Sequence, residues 1–393
     1  MESYLSEAQQ RFKFAQELRR DLHRHPEIGF QEVRTAAIIA KELNALGLEV
    51  RTGMAETGVV AVLEGQGAGP VVLARFDMDA LPISEQTGAS YASVNNGVMH
   101  ACGHDGHVAI GLTVARLLSK KRQELKGKVK FVFQPAEEGL GGAKRMVEEG
   151  VLEDPKPDVC FALHLWNEEP VGWLGITPGP VMSASDTFHV RLIGRGGHGA
   201  APHYSIDPVL ASAQIIIALQ SIVSRNVRPL DSAVVTVTSV HGGEAFNVIP
   251  SEVELKGTIR TFDPDVRDLV MQRFREIVNG VAQSLGCQAE IALKKITPPV
   301  MNDPTITQEV INIASRILPQ NQIDTSSRTM GSEDMAYMME DIPGCYFFVG
   351  SSNVEKGLDA SHHHPRFDFD EGVLPYASAL MAATVSSFLQ SIS

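Results

Sequence analysis

Residues 128–165 read KVKFVFQPAEEGLGGAKRMVEEGVLEDPKPDVCFALHL. Lys128–Phe133 is a short β-type run, Gly142–Leu152 carries a helical pattern, and Asp158–Leu165 is a second apolar run. A strand, a helix and a strand joined by short connections form a βαβ unit, whose two strands lie parallel. The sequence on the N-terminal side extends the same architecture. Ser6–His25 reads as a helix stopped by Pro26, and Phe30–Leu46 as a second, with Gly47 placed to cap it. Gly58–Glu64 and Pro70–Phe76 are apolar runs separated by Gly65-Gln66-Gly67-Ala68-Gly69, a strand pair or a strand–turn–strand. His107–Leu125 is a further helix. Alternating strands and helices predict an α/β domain with a mixed, largely parallel sheet and helices on both faces.

The character changes near Met182. Asp186–Ile193 is strand-like, and Asp207-Pro208 opens a helix with Asp as N-cap and Pro at the first helical position. Ser232–Val240 and Val253–Thr261 are strands. Asp263-Pro264 repeats the helix-opening device, and Gln288–Ile296 is a last strand. The order β-α-β-β-α-β is the ferredoxin-like pattern, here over about 115 residues, enough for one small domain. Pro298-Pro299 marks the return, and Val373–Leu389 forms a final apolar helix. The simplest organisation is one α/β domain, residues 1–181 and 298–393, interrupted by an α+β domain at 182–297.

Composition narrows the partners. The 393 residues are 44% hydrophobic and 21% charged, which excludes a disordered, collagen-like or coiled-coil chain. A net charge of −13 with no basic block argues against nucleic acid. No run of ~18 consecutive apolar residues predicts a membrane span. Residues 1–26 are too charged for a secretory signal. Cys102, Cys160, Cys287 and Cys345 are far apart and form no disulfide framework, which points to the cytoplasm.

Three strands share a polar ending. Val71–Phe76 runs into Asp77-Met78-Asp79, Val129–Phe133 into Gln134-Pro135-Ala136-Glu137-Glu138, and Val159–Leu163 into His164. In open α/β sheets, ligands bind at the carboxyl ends of strands. Between these endings lies Met99-His100-Ala101-Cys102-Gly103-His104-Asp105-Gly106-His107. A thiolate and an imidazole two apart in a glycine-containing loop can converge on a metal. Taken alone, a Cys-x-His is more often a buried thiol beside a satisfied histidine. Three ligand-type strand ends shift the balance toward a metal centre. Glu137 and Glu138 are adjacent at a strand-to-helix turn and point different ways, so one can bind metal while the other takes a proton from activated water. Two acids complementing a helix N-terminus are the bland alternative.

Other segments are less specific. Gly194-Arg195-Gly196-Gly197-His198-Gly199-Ala200-Ala201-Pro202-His203 lets backbone approach a ligand and carries His198 with it, or simply connects strand to helix. Asn247 and Arg260 flank a strand pair in the same domain, and an Arg can hold a carboxylate bidentately. In His362-His363-His364-Pro365 the spacing does not say which His would bind metal.

Together these motifs resemble the dinuclear metallohydrolases of the aminoacylase/carboxypeptidase type, and within them the N-acyl-amino-acid amidohydrolase branch that includes hippurate and auxin-conjugate hydrolases. The resemblance covers nearly the whole chain. It runs through Leu22–Glu27, Asp77–Pro82, Met99–His107, Phe133–Gly142, Gly194–His203, Asn247–Pro250, Gly331-Ser332-Glu333-Asp334 and His363-His364-Pro365. It implies two divalent metal ions per chain, zinc foremost, with manganese, cobalt or nickel as alternatives. It makes Cys102, His104, Glu138, His164 and His363 the ligands, the Cys102 thiolate bridging. Glu137 becomes the general base and proton donor. His198 becomes the oxyanion stabiliser, carried by a lid and dimerisation domain and acting in trans in some relatives. Asn247 and Arg260 grip the substrate carboxylate. In the wider family a His stands in place of Asp77 and an Asp bridges the metals, so Asp77 is not carried over as a ligand. Asp79 is expected to orient one. Phe76, where the branch has a small residue, either crowds the pocket or packs on the far face of its strand. The implied reaction is hydrolysis of N-acyl-amino acids by a cytoplasmic homodimer or higher homo-oligomer. The alternative is a carboxypeptidase or dipeptidase with the same chemistry.

Overall fold

The computed structural model describes residues 2–318 and 322–391. The chain divides into two compact units. One comprises residues 1–181, 301–328 and 334–393, the other 182–300 and 329–333.

The first unit is built on an eight-stranded sheet. Its order is Glu49–Met54, Gly58–Glu64, Lys128–Gln134, Val71–Asp77, Val159–Pro170, Gly344–Ser352, Leu174–Gly175, Ile323–Asp324. Val71–Asp77 pairs parallel with Lys128–Gln134 on one side and Val159–Pro170 on the other, and Val159–Pro170 pairs parallel with Gly344–Ser352. Gly58–Glu64 pairs antiparallel with Lys128–Gln134, so the two apolar runs around the glycine-rich turn are not partners. A third strand lies between them. Strands buried on both faces read as unbroken apolar runs. The core holds Val72, Ala74, Phe131, Phe133 and Phe161 under the helices His104–Lys120 and Val373–Ser391.

Several helices differ from their expected bounds. The first segment is two helices, Glu2–Gln10 and Phe12–Arg24, interrupted at Arg11. The next begins at Val33 rather than Phe30, because Phe30 sits at φ +63, outside the helical region. The central helix begins at His104 rather than His107 and ends at Lys120. Gly142–Glu148 stops short of Leu152. Two helices, Pro208–Asn226 and Val373–Gln390, are long and apolar enough to cross a membrane by length and composition. The second is 78% buried inside the protein, as a core helix is.

The second unit has the sheet order Ala233–His241, Glu252–Thr261, Ala184–Ile193, Gln288–Thr297, with every pair antiparallel. With helices Pro208–Ser221 and Pro264–Ser284 this is the ferredoxin-like arrangement. Both Asp-Pro devices work as expected. Asp207 Oδ1 accepts from the Val209 and Leu210 amides at 2.8 and 3.2 Å, and Asp263 Oδ1 from Asp265 and Val266 at 2.7 and 3.2 Å. The core packs Phe188, Val190, Leu255 and Ile259 against Ile215, Leu219 and Phe274 of the helices.

Candidate metal centre

Three neighbouring parallel strands deliver Asp77, Gln134 and His164 to one region of the sheet. The loop before the central helix brings Cys102, and the first residue of that helix is His104. Gly103 between them sits at φ +89, a conformation glycine adopts freely, and this turn lets two side chains only two positions apart converge.

The donors fall into overlapping groups whose ligand atoms all lie within 4.8 Å of one another. One is Cys102, His104 and His164; a second is Cys102, Glu138 and His363; a third is His104, Glu137 and Glu138. Cys102 belongs to the first two. Its Sγ lies 3.4 Å from His164 Nε2, and His363 Nε2 lies 3.2 Å from Glu138 Oε1.

The second nitrogen of each buried imidazole fixes its tautomer. His164 Nδ1 donates to the Leu165 carbonyl at 2.6 Å, which leaves a lone pair on Nε2 facing the thiol. His104 Nδ1 lies 2.9 Å from the Asp79 carbonyl and 3.2 Å from Asp79 Oδ1. Among the described residues, the buried His104 Nε2 has no hydrogen-bond partner. A buried imidazole nitrogen without a partner, among a thiol and carboxylates, fits a divalent cation.

The electrostatics agree. Burial, then the Glu138 and Glu137 carboxylates, push the Cys102 thiol well above its ordinary range. Burial, with His107 and His362, pulls the His164 ring well down. Burial also opposes charge on His104, yet Asp77 and Asp79 outweigh it and raise the ring to about 10. The pocket thus gathers negative charge that a cation would relieve, and a cation takes thiolate and neutral imidazole as ligands.

Asp79 does two jobs: Oδ1 faces His104 Nδ1, and Oδ2 accepts the Glu138 amide at 3.0 Å. Asp77 is engaged otherwise. Arg75 Nη1 donates to its Oδ2 at 2.7 Å and His107 Nδ1 lies 2.5 Å from its Oδ1. His107 Nε2 accepts the Leu165 amide at 2.9 Å, so both its nitrogens are used and it links Asp77 to the His164 segment. Phe76 packs on the helix side, its ring 5.6 Å from that of Phe133, where a Cβ on Gly111 would meet it at 2.7 Å.

Of the three consecutive histidines, each has a different setting. His362 Nδ1 is 3.8 Å from Cys102 Sγ while its Nε2 accepts the Asn167 amide at 3.2 Å. His363 adopts φ +63 and joins Cys102 and Glu138. His364 Nδ1 accepts the Arg366 amide at 3.0 Å within the turn.

Sequence reasoning missed the supports beneath the donors. Asp334 accepts from Gln134 Nε2 at 2.6 Å and from the Ala143 amide at 2.9 Å, pinning both ends of the segment that carries Glu137 and Glu138. Asp105, next to His104, is held by Arg19 Nε and His23 Nδ1, each at 2.8 Å. Arg75 and Asp77 stand two apart on a strand, hence on one face, and that spacing was the available signal.

In the second unit, His198 lies opposite Val248 in a two-stranded ribbon that begins just after Asn247. His198 is exposed, and its Nδ1 accepts the Ala200 amide at 3.0 Å, so its neutral ring carries the proton on Nε2. Arg260 lies at the other end of the ladder, opposite Ser185 and Val234, half-buried and donating to Thr258 Oγ1 and the Ile259 carbonyl.

Residues 73–387 match the sequence profile of peptidase family M20/M25/M40. The chain belongs to this family. It is 41% identical over 376 residues to an N-acetylcysteine deacetylase of Bacillus subtilis (strain 168), covering 95% of this chain and 97% of that one. It is 39% identical over 376 residues to an IAA-amino acid hydrolase of Arabidopsis thaliana, covering 95% and 85%. A crystal structure from Bacillus subtilis, described as a dinuclear metal-binding peptidase of the M20 family, superposes with a TM-score of 0.85 at 37% identity, covering 97% and 99%. This M20 chain therefore shares both sequence and fold with enzymes that act on amide bonds.

Proposed function

We propose that this M20-family chain is a metal-dependent amidohydrolase that cleaves N-acyl-amino acids to a carboxylate and a free amino acid. The observation that carries the reading is the Cys102 thiol shared by two donor groups, with Glu137 in a third beside them. His104 and His164 would hold one ion, Glu138 and His363 the other, and the Cys102 thiolate would be available to both. Two divalent cations held there would polarise the amide carbonyl and lower the pKa of water. A thiolate in the set favours zinc, with manganese, cobalt or nickel as alternatives. Asp79 holds His104 and the Glu138 backbone in register for this task.

Glu137 takes a proton from the attacking water and passes it to the leaving amine nitrogen. His198, with its proton on Nε2, donates to the oxyanion of the tetrahedral intermediate. Asn247 and Arg260 hold the substrate carboxylate. Their placement on one chain supports a homodimer. The ladder runs from Arg260 to Glu252, then through the ribbon to His198 and Asn247. Eight residues of strand already span ~26 Å, longer than an N-acyl-amino acid. That separation along one chain supports the reading that His198 and Arg260 reach one substrate from two chains of a homodimer, His198 acting in trans. Four free cysteines support a reducing, cytoplasmic setting.

The solved Bacillus subtilis relative is a peptidase, which supports a second reading, hydrolysis of a dipeptide or C-terminal residue by the same residues. A panel of acetyl- and benzoyl-amino acids against dipeptides, on protein reconstituted with each metal, separates the two. Glu137→Gln should retain its metal and lose ~10²–10⁴-fold in kcat, the usual contribution of general acid–base catalysis. Turnover near wild type in that variant would remove Glu137 from the mechanism.

A further inference from the structure

The turn that carries Glu137 is strained. Ala136, fully buried, sits at φ +54, a left-handed conformation that costs a non-glycine residue free energy and persists only where its surroundings hold it. What holds it lies beneath. Glu32 Oε1 accepts the Ala136 amide at 2.9 Å, and Thr57 Oγ1 donates to Glu32 Oε2 at 2.6 Å. Glu32 is itself fully buried.

Its position makes this use unusual. Glu32 is the N-cap residue of the helix Val33–Ala45, yet its side chain makes no capping hydrogen bond. Glu27 does the capping instead, its two oxygens accepting the Arg34 and Thr35 amides at 2.9 and 2.8 Å. The Glu32 carboxyl is thereby free to turn toward Ala136. Gly29 completes the bed: a Cβ there would lie 2.9 Å from Ala136 Cα. The segment from Glu27 to Glu32 also engages the neighbouring strand end, through the Ala80 amide on the Glu27 carbonyl at 2.8 Å.

We propose that Glu32 is a positioning residue for Glu137: by holding the Ala136 amide it fixes the left-handed turn that aims the base. The inference rests on Glu137 being the general base. Hydrogen bonding, rather than charge, performs the task. A glutamine can do the same, its Oε1 accepting from Ala136 and its Nε2 donating to Thr57 Oγ1. An aspartate, one methylene shorter, keeps the charge and loses the reach.

The test compares Glu32→Gln, Glu32→Asp and Glu32→Ala in the full-length, metal-reconstituted protein on an N-acetyl-amino acid. Misplacing a catalytic group by about 1 Å can cost about 10²-fold. Glu32→Asp and Glu32→Ala should lose kcat on that scale, with KM and metal content unchanged. Glu32→Gln should stay near wild type. Amide hydrogen exchange at Ala136 should accelerate in the Asp and Ala variants and remain slow in Gln. If Glu32→Ala does not fold, the Asp and Gln variants decide alone. Full kcat in Glu32→Asp, or an equal loss in Glu32→Gln, overturns the proposal. So does a loss that tracks missing metal. Glu137→Gln assayed in parallel separates the two readings: if it retains turnover, the base assignment has failed, whereas an inactive Glu137→Gln beside an active Glu32→Asp condemns only the role of Glu32.

Discussion

The burial of Glu32 has a thermodynamic signature independent of catalysis. Burial raises its pKa from 4.5 to about 7, against the hydrogen bonds from Thr57 and the Ala136 amide, which pull it down. An acid whose pKa is higher in the folded than in the unfolded chain binds more protons when folded. Folding stability therefore falls as pH rises between the two pKa values and levels off above the higher one. A shift of this size corresponds to about 3 kcal/mol in full, at 1.36 kcal/mol per pKa unit. Between pH 5 and pH 8, where part of the unfolded-state titration is already complete, about 2.5 kcal/mol remains. Glu32→Gln cannot ionise and lacks this component. Urea unfolding of wild type and Glu32→Gln, at matched metal occupancy, should give stability differences that diverge with pH. Glutamine should gain relative to glutamate by about 2–3 kcal/mol on going from pH 5 to pH 8. The comparison cancels proton release by metal ligands, which both proteins share. Parallel pH profiles for the two proteins would show that Glu32 ionises normally in the folded state and would refute the reasoning.

Further outcomes are expected at the site and in the second unit. Prolonged chelation should abolish hydrolysis and added Zn²⁺ or Mn²⁺ restore it; Cys102→Ser should bind less than two ions per chain by elemental analysis, since a hydroxyl is a poorer metal donor than a thiolate. Arg260→Ala should raise KM for acyl-amino acids while sparing a substrate whose carboxylate is amidated, and equal losses on both would assign it a structural role. His198→Ala should lose ~10²–10³-fold. Co-expressed with Glu137→Gln it should recover activity in about a quarter of all sites, those of mixed dimers that combine Glu137 from one chain with His198 from the other. Isolated mixed dimers no more active than their parents would place His198 in cis or outside the reaction.

The residues that announced this fold were those whose neighbours are local. Apolar runs ending in Asp77, Gln134 and His164 read as strands because strand burial writes an uninterrupted pattern. The Asp-Pro helix openings worked because capping involves only the next three residues. Errors arose where distant segments decide. Gly58–Glu64 and Val71–Asp77 look like partners because a glycine-rich turn joins them, yet Lys128–Gln134, far along the chain, separates them. The central helix starts three residues early because Cys102-Gly103-His104 reads as loop while Gly103 in fact occupies its N-cap position. At the candidate site, residue types and approximate grouping were legible. The different settings of His362, His363 and His364 were not legible from their spacing, because they depend on the left-handed backbone at His363 and on the Asn167 amide that occupies His362. Nor was the role of Glu32, which by sequence is an ordinary helix N-terminal acid.

A common device connects these cases. The three segments that present Cys102 and His104, Glu137 and Glu138, and His363 each turn through a residue at positive φ: Gly103 at +89, Ala136 at +54 and His363 at +63. Such turns are what let a donor leave the strand or helix direction and face its neighbours. Two of them use residues with a Cβ, and each is tied by a hydrogen bond to a different part of the chain. The Ala136 amide is bound by Glu32, and the His363 amide donates to the Ala101 carbonyl at 2.8 Å, joining the His363 loop to the segment that carries Cys102. The tie at His363 couples a candidate ligand on one loop to the thiol on another, so displacement of either loop changes the donor group that contains both. Strain at these positions is therefore confined by protein contacts, and the arrangement of donors follows from packing beneath the site rather than from the donors themselves.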